Sequence, residues 1–314
     1  MKKIIIEEND RNQRADRFLV KHLPNAKKNF LMKMLRKKNI MRNGKRLHPE
    51  DILEMGDVIE FFFSDETYEK FKGKDKVYSH VSLDIIYEDD HVLVLDKPAG
   101  LLSHSASKLR EKNLVDGAIK YLIEKGEYNP RAENSFTPAI CNRLDRNTSG
   151  IVMVGKTNLA LKLINEALRG REVSKYYYAI VVGEFCNDGL YETSMTRLES
   201  KNISLLSRDG KHMVTEIHTI SKNKNLSLLR VKLVTGRTHQ IRVQLQALGH
   251  SILGDPKYGN SNLNQKYGQK HQLLSAVEMI LPNFIGDLNY LSGKKFVSKY
   301  KMDMIQKYQE WIGD

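Results

Sequence analysis

Apolar positions near the start of the chain follow a helical rhythm. Phe18, Leu19 and Leu23 share one face, and Pro24-Asn25 ends the run. A second helix is expected from about Asn29, with Phe30, Leu31, Met34 and Leu35 inward and Lys33, Arg36, Lys37 and Lys38 on its other faces. Ile40-Met41-Arg42 reads as a short strand. Asn43-Gly44 reads as a hairpin turn, because both residues tolerate positive φ, and Lys45–Leu47 as the return. Met55-Gly56-Asp57 marks a further turn before the apolar strand Val58–Phe63. No apolar period persists from Ser64 to Ser82. The domain boundary is expected in that charged stretch, with residues 1–75 as a small unit plus linker and 76–314 as the larger domain.

In the larger part, Leu83–Tyr87, Val92–Asp96, Ile151–Val154, Ser174–Val182 and Ser227–Val234 read as strands. Leu114–Glu124, Leu159–Leu168 and His239–Leu248 read as helices, the last ended by Gly249. Strands outnumber helices and do not alternate regularly with them. The expected class is therefore α+β rather than a doubly wound parallel sheet.

Composition narrows the setting. Of 314 residues, 40% are hydrophobic and 28% charged, the range of a soluble globular protein. No apolar run approaches the roughly 20 residues needed to cross a bilayer. The opening Met1-Lys2-Lys3-Ile4-Ile5-Ile6-Glu7-Glu8 lacks the long apolar region of a secretion signal. Two cysteines, Cys141 and Cys186, without metal-ligand spacing suit a reducing cytoplasm. Residues 11–48 hold thirteen Lys or Arg against Asp16 alone, so they carry +12 of the net +13. Basic faces that only solubilise normally mix both signs of charge. A concentration of one sign points to a polyanionic partner. An anionic membrane is the other candidate, but no lipidation signal accompanies the patch.

The candidate chemistry uses ordinary side chains. The sequence contains no Gly-rich phosphate loop and no His-Glu pair at zinc-ligand spacing, and no cofactor is indicated. Asp145 lies in a turn-rich segment just ahead of the strand at Ile151, flanked by Arg143 and Arg146. A loop at a strand mouth can reach substrate while the strand holds it rigid. Taken alone, an Asp between two arginines is more often a structural ion pair than a catalytic group.

The wider context reverses that balance. Asn142-Arg143-Leu144-Asp145-Arg146-Asn147-Thr148-Ser149-Gly150 resembles the signature of the RluA-type pseudouridine synthases. Leu95-Asp96-Lys97-Pro98-Ala99-Gly100, Lys175-Tyr176-Tyr177-Tyr178-Ala179 and Thr235-Gly236-Arg237-Thr238-His239-Gln240-Ile241-Arg242 are similar to its other motifs, in the family's order. Asn142 departs from the pattern, since many relatives carry His there. The resemblance implies a pseudouridine synthase fold with a mixed, mainly antiparallel central sheet, and isomerisation of uridine in RNA without a cofactor. By that resemblance, Asp145 attacks or deprotonates the ribose and Arg242 pairs with it. Tyr177 stacks on the uracil, and Arg143 enters the base stack in place of the flipped nucleotide. Lys97 becomes a candidate phosphate contact, while His104 and His239 are expected to be structural and Asp255 to brace a loop.

Arg14–Leu19, Leu31–Lys38, Asn43-Gly44-Lys45 and Gly56–Ile59 resemble an S4-like RNA-binding domain. That resemblance implies RNA contacts by Arg14, Arg17, Lys33, Arg36, Lys37, Lys38 and Lys45. Large-subunit ribosomal RNA is the expected target and a monomer the expected state. A tRNA target, or a catalytically idle ribosome-assembly factor, are the alternatives.

Overall fold

The computed structural model describes residues 1–72, 77–105, 111–198 and 203–312. The chain divides into two compact units. One comprises Met1–His80, Ile119–Ala139 and Lys156–Leu159; the other comprises Val81–Ala118, Ile140–Gly155 and Ala160–Asp314.

The first unit contains β1 (Lys2–Ile5), α1 (Ala15–His22), α2 (Lys28–Arg36), β2 (Ile40–Arg42), β3 (Lys45–Arg46), β4 (Val58–Phe61) and α3 (Asp65–Lys72). Its strands form an antiparallel sheet in the order β1-β4-β2-β3. Asn43 and Gly44 turn the hairpin with φ of 51° and 71°, as the dipeptide predicts. Of the expected inward residues of α2, Leu31, Met34 and Leu35 are buried with Phe18, Leu19 and Leu23, while Phe30 is only partly buried and packs against the same core.

Two features extend this unit beyond the sequence expectation. The polar stretch after Ser64 opens with α3, because Tyr68 and Phe71 lie one turn apart and pack into the same core. Within the expected linker run, residues 73–76 lie outside the described residues. Residues 129–135 also belong here. Asn134 donates to the Ile5 carbonyl at 2.9 Å and Ser135 donates to Asp10 at 2.6 Å. The imidazole of His22 sits between the Asn134 carbonyl (2.7 Å) and the Tyr68 hydroxyl (2.6 Å). Burial pushes His22 down to about 4.

The second unit is built on an 11-stranded sheet. Its strands are β5 (Asp84–Glu88), β6 (Val92–Lys97), β7 (Ala139–Ile140), β8 (Ser149–Gly155), β9 (Ser174–Val182), β10 (Gly189–Leu198), β11 (Ile203–Leu206), β12 (Lys211–Lys222), β13 (Leu226–Leu233), β14 (Leu274–Ile280) and β15 (Lys295–Val297). The main path runs β11-β10-β12-β13-β9-β14-β8-β6-β5. Of its registered pairings only β14 with β8 is parallel, so the sheet is mixed and mainly antiparallel.

The helices are α4 (Leu114–Glu124), α5 (Asn158–Gly170), α6 (Gln240–Ala247), α7 (Ser261–Lys266) and α8 (Tyr300–Ile312). Met304 and Tyr308 of α8 pack on Tyr178, Ile180, Leu226 and Leu228, covering one side of β9 and β13. Strand alternation sends Tyr177 to the other side. Among the described residues no helix is long and apolar enough to cross a membrane.

Candidate active site

The site forms where the mouth of β8, strand β9 and helix α6 meet. Gly150 at the start of β8 lies opposite Ala276 of β14, and Ala276 lies opposite Tyr177 of β9. The register therefore fixes the spacing between the Asp145 loop and Tyr177. Gly150 has φ of 111°, and a Cβ there would stand 2.2 Å from the Ala276 carbonyl oxygen, so only glycine permits this pairing.

The loop itself is held from the opposite strand. Lys97 pairs across β6 with Gly150 and is fully buried. Its ammonium donates to the carbonyls of Pro98, Leu101 and Arg146 at 2.8–2.9 Å. The Gly100 amide also donates to the Arg146 carbonyl, at 2.9 Å. Ser103 Oγ donates to the Leu144 carbonyl at 2.8 Å and lies 3.1 Å from the Leu144 amide. The expectation that Lys97 touches phosphate is thereby corrected: the side chain is enclosed and spends its donors on backbone. Burial pulls Lys97 down to about 7, against the opposing pull of the Asp145 charge.

Asn142 also serves the backbone. Its Nδ2 donates to the Ile151 carbonyl at 3.0 Å, and its Oδ1 accepts from the Met153 amide at 2.9 Å. The amide thus behaves as an extra strand residue beside β8.

Asp145 is partly exposed, with 28% of its side chain accessible. Its Oδ2 accepts from Arg242 Nη1 at 2.8 Å, and Oδ1 accepts no hydrogen bond from a described residue. The guanidinium, 4% exposed, is pinned by Asp255 through Nε at 2.7 Å and Nη2 at 2.8 Å. Asp255 also accepts the Lys257 and Tyr258 amides, and these donors with Arg242 hold its carboxyl low despite burial. Arg242 therefore arrives at Asp145 with its orientation already set. Tyr177 is 7% exposed; burial, reinforced by the Asp145 charge, raises its phenol well above the ordinary value and keeps it neutral.

These groups line a cleft of roughly 630 Å³, which suits one nucleotide. Around its wall stand Arg143, Arg169, Arg171, Lys175, Arg237 and Arg242, with Asp145 the only acidic lining residue among the described residues. Arg143 is exposed and forms no ion pair with a described residue, so it does not bridge to the neighbouring carboxylate. Arg146 instead pairs with Glu111 at 2.9 Å. In the first unit, Arg14, Arg17, Lys33, Arg36, Lys37, Lys38 and Lys45 are all exposed. Arg14 is paired with Asp16 at 3.1 Å. Among the described residues no three His, Cys, Asp or Glu side chains converge to hold a metal ion.

The sequence expectation brought Asp145, Tyr177, Arg143 and Arg242 to one cleft, and the structure does the same. It gave no role to Lys175 and Arg237, although both lie inside the quoted motifs, and it missed Arg169 and Arg171, whose only signal was charge. It set aside His239, although a residue three positions before Arg242 shares its helix face.

A basic cleft with one oriented carboxylate suits an enzyme that handles an anionic polymer through its own side chains. The chain belongs to the RNA pseudouridylate synthase family, isomerases of uridine in RNA, whose match spans residues 91–247. It is similar to a Mycoplasma capricolum protein described as an uncharacterized RNA pseudouridine synthase, 31% identical over 99% of each chain. It is 35% identical to ribosomal large subunit pseudouridine synthase C of Vibrio vulnificus, over 85% of this chain and 83% of that one. Synthase D of Pseudomonas aeruginosa is 31% identical over 79% of this chain and 74% of its own. The fold also resembles human RNA pseudouridylate synthase domain containing 4, at a TM-score of 0.55 and 21% identity, covering 72% of this chain and 93% of that one.

Proposed function

We propose that the chain isomerises uridine in large-subunit ribosomal RNA, with Asp145 as the essential carboxylate. The observation that carries this reading is a cleft carboxylate, alone among the described lining residues, tied through Oδ2 to an immobilised guanidinium and open at Oδ1. Asp145 attacks or deprotonates the ribose and the C1′–N1 bond breaks. The uracil turns and C5 bonds to C1′, which displaces Asp145 on the first route and returns its proton to the ribose on the second; the proton lost from C5 is balanced by one gained at N1. Neutral Tyr177 supplies a flat apolar wall for the base as it turns. Extruding the uridine costs a few kcal/mol, and exposed Arg143 offsets part of this by stacking in the vacated position.

The basic face of the first unit, an S4-like module, grips RNA by its phosphates and sets position rather than sequence. The names of the Vibrio and Pseudomonas relatives support ribosomal RNA as the substrate. The test is pseudouridine mapping of total RNA from a strain lacking the protein, complemented by wild type or Asp145→Asn. We expect at least one large-subunit site to vanish in the deletion and return only with wild type. No lost site, or full rescue by Asp145→Asn, would overturn the reading.

A further inference from the structure

His239 begins α6 in the left-handed region, with φ of 61° and ψ of 16°, a conformation that side-chain-bearing residues adopt rarely. Backbone outliers of this kind persist where the surroundings hold them, often at functional sites. Here the ring is clamped on one side. Its Nδ1 lies 2.8 Å from the Tyr258 hydroxyl, and the two rings meet edge to face at 5.5 Å. Tyr258 is itself fixed, accepting the Ser204 amide at 2.7 Å and lying against the Arg242 guanidinium at 5.0 Å. On its other side, His239 Nε2 faces Asp145 Oδ2 at 3.8 Å.

Donors and acceptors around the ring favour one tautomer. The Tyr258 oxygen already accepts from the Ser204 amide, and its single proton has His239 Nδ1 as an acceptor. A neutral imidazole that accepts at Nδ1 carries its proton on Nε2, the atom facing Asp145. The ring is neutral because burial pulls it down to about 4. Asp145 and Asp255 act against that shift, while Arg242 and Lys257 add to it.

We infer that His239 is a positioning residue for Asp145, its Nε2–H and Arg242 Nη1 together occupying Oδ2 so that Oδ1 alone meets the substrate. The inference rests on the reading of Asp145 as the reacting carboxylate. The 3.8 Å separation closes by a small carboxylate rotation as the cleft fills, since catalytic hydrogen bonds are often long in empty sites.

Two measurements test it. The first is the ring-nitrogen NMR spectrum of His239 in the wild-type protein at pH 7. A neutral ring protonated at Nε2 is expected; protonation at Nδ1 overturns the inference. The second is single-turnover pseudouridine formation on total RNA from the deletion strain, with RNA affinity measured in parallel. His239→Phe keeps a ring without a donor and should slow the reaction about 10- to 100-fold at unchanged affinity. His239→Gln restores a donor near the Nε2 position and should recover most of that loss. A His239→Phe rate within threefold of wild type overturns the inference, as does an equal fall in Phe and Gln variants. So does a loss confined to affinity. If Asp145→Asn stays active, the reading of Asp145 fails instead, a different outcome from a dead Asp145→Asn beside a fully active His239→Phe. Should a variant not fold, the wild-type spectrum still decides.

Discussion

At the scale of single residues, carboxylate and guanidinium are not interchangeable targets for substitution. Asp145→Asn keeps an acceptor for Arg242 Nη1 and should fold normally while losing at least about 1000-fold in turnover; circular dichroism and single-turnover assays check both halves. Arg242→Met removes the partner of Asp255, whose side chain is fully buried, so it should cost about 3–5 kcal/mol of stability as well as activity. Denaturant unfolding separates the two effects, and a variant as stable as wild type would contradict the bridging role of the guanidinium. Asp145, Tyr177 and Arg242 were legible because each sat inside a multi-residue motif. Lys97 was misread for a physical reason. A lysine at the end of a strand has the same sequence whether its ammonium meets water or three carbonyls, and only the fold decides. Asn142 was equally opaque, since an amide that pairs with a strand leaves no periodic trace.

Among elements, the strands that flank the site were the readable ones. Val92–Lys97 and Ser149–Gly155 are buried along their whole length, so apolar runs announced them. By contrast β10 and β12 are long but half-exposed, and β14 hides behind buried Glu278, which is neutralised by Lys295 at 2.8 Å. Their polar residues blurred the period. The β8–β14 junction makes a sharp prediction. Gly150→Ala should destabilise the second unit by several kcal/mol, because the added methyl meets backbone and also disfavours the positive φ. A melting temperature within a degree of wild type would refute it.

In the first unit, His22 is held near 4 by burial against an unfolded value near 6.5. Its folded value is depressed, so the unfolded chain binds the extra proton first. Stability from this residue is complete above pH 6.5 and is lost as pH falls toward 4, about 3 kcal/mol in all. Following its ring carbon by NMR should show a neutral imidazole still at pH 5.5.

Across the whole molecule, charge was the most legible property, while the extent of each unit was the least. The basic face carried its own signature in composition, whereas residues 129–135 join the first unit through hydrogen bonds that no periodicity encodes. Deleting residues 1–75 would strip partners from Asn134 and Ser135, so charge reversal is the cleaner probe. Replacing Lys33, Arg36, Lys37 and Lys38 by Glu should weaken RNA binding and flatten its dependence on salt by roughly 0.7–0.9 for each phosphate no longer neutralised. An unchanged salt slope would move the grip elsewhere.

The enclosure of Lys97 has a kinetic consequence. An amine drawn down to about 7 is a good nucleophile at neutral pH, yet no reagent can reach it while the loop is shut. Its acylation therefore proceeds only during moments when the Arg146 carbonyl lets go, and labelling becomes a clock for the Asp145 loop. Followed by mass spectrometry, Lys97 should react far more slowly than exposed Lys38, and more slowly still with RNA bound. At reagent concentrations where labelling outpaces reclosing, the rate without RNA gives the frequency with which the empty enzyme opens.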